Sequence, residues 1–465
     1  MKHAVIKPML KQLGMELIKN NYRPVSNLSF ISKLIESVVV QQLTDHMDTN
    51  DLQDPRQSAY KKHHSTETLL LKVQNDILMN MDKGQVTMMV LLDLSAAFDT
   101  IDHDILIERL EKRYGVTDTA LRWFRSYLSD RTQSVCMDGQ ESDKLPLLYG
   151  VPQGSKLGPI LFNAYIAPLS DAVKKHGIED QKYADDEGLL MAFSPKLRVD
   201  QMNAREQVID CITEIRDFLD VNKLSNNGKK TEFMISGSAQ QLKKLEIDSI
   251  EVGGITIKAV DHVRNLGVIF DQHMSMGHQV RKICKTGYFH LRNISSVRNN
   301  INKKDTKTLT HAFVTSVLDN GNSLLHGISK KHLNKLQVLQ NSAARVVERK
   351  RKFDHITEAR KELHWLPVEA RIKFKTLDFV WKSLNGMAPK YLINKPKRVN
   401  PRDLRNKGLV FLETPRFNRP SFGGRAFENV APRLWNELPS DIRQAETNNQ
   451  FRSKLKTHLF TQYYD

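Results

Sequence analysis

Cysteine is scarce. Cys136, Cys211 and Cys284 are the whole complement in 465 residues, an odd and scattered set that encodes neither a disulfide framework nor a zinc cluster. Long apolar runs are missing as well. No stretch approaches the roughly 20 uncharged apolar residues of a membrane span, and the opening MKHAVIKPMLKQLG carries lysines where a secretory signal holds its apolar run. Low-complexity tracts and repeats of about 20–50 residues are absent too. These absences exclude a secreted disulfide scaffold, a helical membrane protein and a solenoid. They predict an intracellular protein, cytoplasmic or nuclear, without a membrane partner.

The sequence is 40 % apolar and 7 % aromatic, enough for sizeable cores, and its length suits two or three domains. Its charge is uneven. The net charge is +17, yet residues 281–465 hold 37 Lys/Arg against 15 Asp/Glu, and residues 1–280 hold 33 against 38. A basic half beside a mildly acidic one suggests that one part holds a polyanion while the other works on it.

The acidic part reads as mixed α/β. VTMMVLLDL, Val86 to Leu94, is a continuous apolar run that fits a buried central strand. Residues 133–137, 188–193, 231–235, 250–257 and 265–270 are further strand candidates. Residues 104–114 and 203–219 repeat apolar positions at helical spacing. From about residue 277 the pattern is basic, amphipathic and helical, over 280–297, 305–318 and 330–347. A Pro-, Arg- and Asn-rich stretch after Pro389 then reads as a linker to a short helical terminal unit.

Three segments carry chemistry. Asp93 ends the apolar run, where an unpaired carboxylate is costly. Tyr183-Ala184-Asp185-Asp186 precedes a second apolar run; at a hairpin turn both of its carboxylates can approach one site. An Asp-Asp pair alone is ordinary turn chemistry, but with Asp93 on a neighbouring strand it forms a hard-oxygen set for two Mg²⁺ ions, the apparatus of phosphoryl or nucleotidyl transfer. The third segment, GVPQGSKLGPILF over 150–162, is a Gly/Pro turn leading into an apolar helix. Gly154 allows another chain or a base to approach the backbone closely.

In this order, LLDLSAAFDTIDH, GVPQGS and YADD resemble the reverse transcriptases of animal non-LTR (LINE-type) retrotransposons. The resemblance runs through QSAYKKHHSTET, NGKKTEF and NLGVIFD into LQVLQNSAARVV and FRSKLKTHLF. It implies an α+β right-hand polymerase: fingers and a ferredoxin-like palm over 1–275, a helical thumb-like region over 276–395 and a basic C-terminal unit over 396–465. It implies an RNA-directed DNA polymerase with RNA template, DNA primer and dNTPs as partners and two Mg²⁺ ions, or Mn²⁺, as cofactors. Asp93, Asp185 and Asp186 would be the metal ligands. Phe98 would lie under the incoming sugar and exclude a 2′-hydroxyl, with Ser95, Ala96 and Ala97 giving the nucleotide room. Gln153 and Gly154 would line the template–nucleotide pocket. Lys230 would serve the departing pyrophosphate, Lys11 and Lys61 would neutralise the triphosphate, and NLGVIFD would grip the primer end.

The chain departs from the family at Lys61, usually Arg; at Lys156, usually small and apolar; at Glu187, usually Thr; and at Asn226, Asn320 and Gly321. Lys156 would place a charge beside the pocket, and Glu187 a carboxylate near the metals. No endonuclease, zinc-knuckle or RNase H constellation is evident, which suggests a truncated reading frame. Two rivals follow: an impaired remnant that only binds RNA, favoured by Lys61, Lys156 and Glu187 and opposed by the intact Asp93, Asp185 and Asp186, and a two-metal palm enzyme acting on free nucleotides, such as a cyclase.

Overall fold

In the computed structural model, residues 2–11, 14–18, 21–95, 98–226, 230–395, 398–399 and 410–464 are described. Ala96 and Ala97, and most of the expected linker, lie outside them.

The chain opens with an antiparallel pair, β1 (His3–Leu10) and β2 (Tyr22–Asn27), followed by α1 (Phe30–Thr49) and α2 (Thr66–Asp82). Ser65 and Thr68 cap α2 reciprocally. The expected central strand is β3 (Val86–Ser95). Next come α3 (His103–Lys112), α4 (Asp118–Leu128), β4 (Thr132–Met137), α5 (Gly158–Ile166) and α6 (Leu169–Lys175). Asp102 starts α3 by accepting the N–H groups of Asp104 and Ile105. The strands β5 (Glu179–Tyr183) and β6 (Asp186–Phe193), the helix α7 (Arg198–Val221) and the strand β7 (Glu232–Ser236) complete an antiparallel sheet in the order β7-β3-β6-β5.

Side-chain alternation gives this sheet two cores. Val90, Leu92 and Phe233 face α3, α5 and α7. Met89, Leu190 and Met234 face α2 and a helical mass beyond it.

Two expected single strands are hairpins. Residues 250–257 form β8 (Ser249–Val252) and β9 (Ile255–Lys258), because Gly253 and Gly254 both take positive φ. Residues 265–270 span the turn between β10 (His262–Asn265) and β11 (Val268–Asp271), with Leu266 and Gly267 at φ 44° and 86°. The β1–β2 hairpin was not among the expected strands.

The helical part contains α8 (Gly277–Val297), α9 (Lys303–Thr310), α10 (Ser316–Asp319), α11 (Lys330–Glu348) and α12 (Val368–Leu384). The helix expected over 305–318 contains a π-helical turn at His311–Thr315 between α9 and α10. Beyond the linker lie α13 (Phe427–Asn436) and α14 (Asn448–Tyr464).

Packing does not divide at the expected 395/396 boundary. The ring of Phe451 on α14 packs against Trp381 of α12 and Trp435 of α13, each at a centroid distance of 5.9 Å. Buried Asp82, closing α2, accepts the backbone N–H groups of Asn418 (2.9 Å) and Arg419 (2.6 Å). The terminal residues, the thumb-like helices and α2 share one core.

Candidate active site

Strand register assembles the site. Asp93 on β3 lies directly across from Asp186 on β6, which in turn lies across from Tyr183 on β5. Ala184 and Asp185 form the turn between β5 and β6. Ala184 holds φ +58°, a left-handed conformation costing about 1–2 kcal/mol for a residue with a Cβ. The three carboxylates therefore sit at one end of the sheet.

Electrostatics record their crowding. Burial and then the charges of Asp185 and Asp93 push the Asp186 carboxyl up to about 6. Burial also raises Asp185; its neighbour Asp93 adds to the rise, while Arg23 and Lys230 oppose it. Lys230 Nζ lies 2.6 Å from Asp93 Oδ2. Three hard oxygen donors gathered at one sheet end, with Asp93 already paired with the Lys230 cation, fit divalent metal ions.

A cavity of about 340 Å³ adjoins this trio, lined by Asp93, Asp186, Lys230, Arg264 and the Asn265–Gly267 turn. Thus the first three residues of NLGVIFD and Lys230 share a cavity with Asp93 and Asp186, whereas Phe98, Gln153, Gly154, Lys11 and Lys61 do not line it. Lys61 donates to the Asp54 carbonyl and lies in a different cavity with Lys390 and Tyr391. Lys11 is exposed beside the β1–β2 pair, its backbone N–H on the Asn21 carbonyl.

The GVPQGS turn is built around backbone contacts. A Cβ on Gly154, at φ +111°, would lie 2.8 Å from the Ser26 carbonyl oxygen. The close approach expected there is made by β2. The Gln153 carbonyl accepts the Ser26 N–H at 2.8 Å, and its side-chain amide donates to Asp99 at 2.9 Å.

Phe98 is half-buried, its ring 4.8 Å from that of Phe162 on α5. If it gates the sugar, Phe98→Ala shifts the dNTP/rNTP insertion ratio toward ribonucleotides by about ten-fold or more, roughly 1.4 kcal/mol at the transition state. A packing role alone lowers both insertions together, along with the melting temperature. An unchanged ratio in a folded variant excludes the gate.

Two departures from the family pattern turn away from the carboxylates. Lys156 reaches Ser37 Oγ at 2.6 Å, and its backbone N–H donates to buried Glu36 of α1 at 2.7 Å. Glu187 points to the opposite face of the sheet. There burial pushes its carboxyl up to about 8, despite the cations Lys182 and Arg56 nearby. The expected extra carboxylate beside the metals is therefore a buried acid under the sheet.

Sequence reasoning missed the groups that face or hold the YADD turn from the amino-terminal segment. Arg23 of β2 bears on Asp185, and so does the Tyr60 hydroxyl, whose pKa is raised first by burial and then by Asp185. Gln57 hydrogen-bonds Ala184. The alternation of NYRPVSN hints at a strand that exposes Arg23, but no local signal aims it at residue 185. Elsewhere, Asp261, His262 and His278 bring three donor atoms within 4.8 Å of one another. The His262 Nδ1–Asp261 contact at 2.5 Å and the stacking of the two rings account for that cluster without an ion.

Residues 7–270 match the family described as "Reverse transcriptase (RNA-dependent DNA polymerase)". Among curated proteins, the chain is 27 % identical over 388 residues to a "Probable RNA-directed DNA polymerase from transposon BS" of Drosophila melanogaster, covering 81 % of this chain and 41 % of that protein. It is 22 % identical over 335 residues to an "RNA-directed DNA polymerase from mobile element jockey" of the same species, covering 70 % and 35 %. The chain thus spans well under half the length of these relatives. Among solved structures, telomerase of Candida tropicalis with a fragment of telomeric RNA aligns at TM-score 0.41 and 12 % identity, over 78 % of this chain and 61 % of that one.

Proposed function

The chain belongs to the reverse transcriptase (RNA-dependent DNA polymerase) family, and we propose that it adds deoxynucleotides to a DNA 3′-hydroxyl on an RNA template. One observation carries this reading: Asp93, Asp185 and Asp186 converge at one sheet end beside a cavity shared with Lys230 and the Asn265–Gly267 turn. Enzymes of the family generally use divalent metals. Here the three carboxylates would hold two Mg²⁺ ions, or Mn²⁺, which when bound supply activation of the hydroxyl and neutralisation of the triphosphate.

The chain's own groups position the reactants. The Asn265–Gly267 turn faces the primer end. Lys230 is 62 % exposed, and its flexible stem lets it serve either Asp93 or the departing pyrophosphate, to which it would give a proton. Arg23 bears on Asp185 from β2 and suits the triphosphate better than Lys61 does. Catalysis then rests on alignment and charge neutralisation, with no covalent intermediate.

The binding-only reading rests on Lys61, Lys156 and Glu187; against it, Lys156 is engaged by Ser37 and the Glu187 carboxyl is buried beside Lys182. Primer extension by purified protein on RNA and DNA templates tests the proposal. The expected result is divalent-metal-dependent dNTP incorporation directed by RNA. Template binding without extension returns the chain to an RNA-binding remnant, and turnover without template points to a cyclase-like enzyme.

A further inference from the structure

Ala184 sits between β5 and the metal-binding pair in a conformation that its own side chain disfavours. One carboxamide holds it there. Gln57 Oε1 accepts the Ala184 N–H at 3.0 Å, and Gln57 Nε2 donates to the Ala184 carbonyl at 3.2 Å. Both backbone polar groups of a single residue are thus satisfied by one side chain.

The clamp is itself fixed. Gln57 is 2 % exposed, and its Oε1 also accepts the Ala59 N–H at 2.9 Å. With two N–H groups aimed at that atom, the amide cannot flip without facing donors with donors. Its backbone forms a parallel bridge to Lys182 on β5. Lys182 N–H donates to the Arg56 carbonyl at 3.2 Å, and Ser58 N–H donates to the Lys182 carbonyl at 2.9 Å. Residues 56–58 therefore extend the sheet beyond β5.

Side chains anchor the same segment from below. Arg56 pairs with buried Asp180, and Ser170 Oγ bonds both Asp180 and Asp54 at 2.9 Å. Lys182, 1 % exposed, reaches Ser170 Oγ at 2.5 Å. A rigid, buried base thus carries a side chain whose donor and acceptor are aimed at the one strained residue of the carboxylate turn.

We propose that Gln57 is a positioning residue for the metal site: it holds Ala184 left-handed and so sets where Asp185 stands relative to Asp93 and Asp186. This rests on the reading of those carboxylates as metal ligands. Gln57 touches neither the metals nor the substrates; it acts through the backbone of Ala184.

The test combines Mn²⁺ binding, followed by electron paramagnetic resonance on the full chain, with primer extension. Gln57→Ala removes the clamp; Gln57→Met removes it while preserving length and bulk. Both should weaken Mn²⁺ binding by about 10-fold or more, the usual effect of losing a partner that orients metal ligands. The metal concentration for half-maximal extension should rise in parallel, with KM for dNTP changed less than about two-fold, a shift of under 0.4 kcal/mol.

Adding Ala184→Gly supplies the reading that a packing defect would not move. Glycine adopts positive φ freely, so it should restore most of the missing Mn²⁺ affinity in the Gln57→Met background. Unchanged Mn²⁺ affinity, or no recovery on adding Ala184→Gly, overturns the proposal, as does failure of both Gln57 variants to fold. If the wild-type chain binds Mn²⁺ at Asp93 and Asp185 but extends no primer, the polymerase reading fails while the binding arm still decides the role of Gln57. If it binds no Mn²⁺ there, both fall.

Discussion

Asp185→Ala loses RNA-templated primer extension by more than about a thousand-fold, because removing even one neutral donor to transition-state charge costs about 10²–10³ in kcat. Asp185 stands at the turn, buried enough to raise its carboxyl and within the field of Asp93. Alanine removes a proposed metal ligand without altering the strand register that places Asp93 opposite Asp186. Asp93→Ala behaves alike, with one difference: it also strips Lys230 of its partner at 2.6 Å. In both variants, primer–template affinity measured by fluorescence anisotropy should change less than about three-fold, under 1 kcal/mol. Extension at near wild-type rate in Asp185→Ala removes the carboxylate from the site.

Neutralising Arg281, Lys331 and Lys335 to Gln together flattens the salt dependence of primer–template binding. The three line one cavity of about 450 Å³ between α8 and α11, and all are exposed. Removing one phosphate-bound cation lowers the slope of log K against log[salt] by about 0.7–0.9, so the triple variant should bring it down by about 2–3. Affinity near 50 mM salt falls steeply, while affinity at high salt converges on wild type. Lys144→Gln, in the amino-terminal half, should leave the slope unchanged. An unaltered slope in the triple variant places the phosphate grip on another surface. Deleting the basic half is a poorer test, since those residues complete the core that contains α2.

The central strand and the YADD hairpin were legible because their signals are local: an apolar run bounded by a carboxylate, and two acidic residues at a turn before a second run. Residues 250–257 and 265–270 misled because apolar residues flank turns whose positive φ angles only the backbone shows. Glu187 misled for a different reason. Strand alternation should have sent it to the face opposite Asp186, but a buried acid looks implausible until Lys182, Arg56, Asp54 and Asp180 are seen around it. Those partners come from segments more than a hundred residues apart, as does the Gln57 clamp on Ala184. Likewise, no local signal showed that α12, α13 and α14 bury their apolar sides against one another.

The closure of Asp82 on Asn418 and Arg419, together with the shared core of α2, α13 and α14, bears on how the chain matures. Its decisive contacts join residues more than 300 positions apart, so they can close only after most of the chain has been made. During synthesis at about 5–20 residues per second, the apolar side of α2 waits roughly 20–80 s for its last partners to leave the ribosome. The carboxylate sheet is complete in sequence by residue 236, yet the core that its Met89–Leu190–Met234 face shares with α2 closes only after about 230 more residues, roughly 10–45 s at that rate. Loss of α13 and α14 therefore exposes the apolar side of α2, rather than merely loosening the hold on nucleic acid.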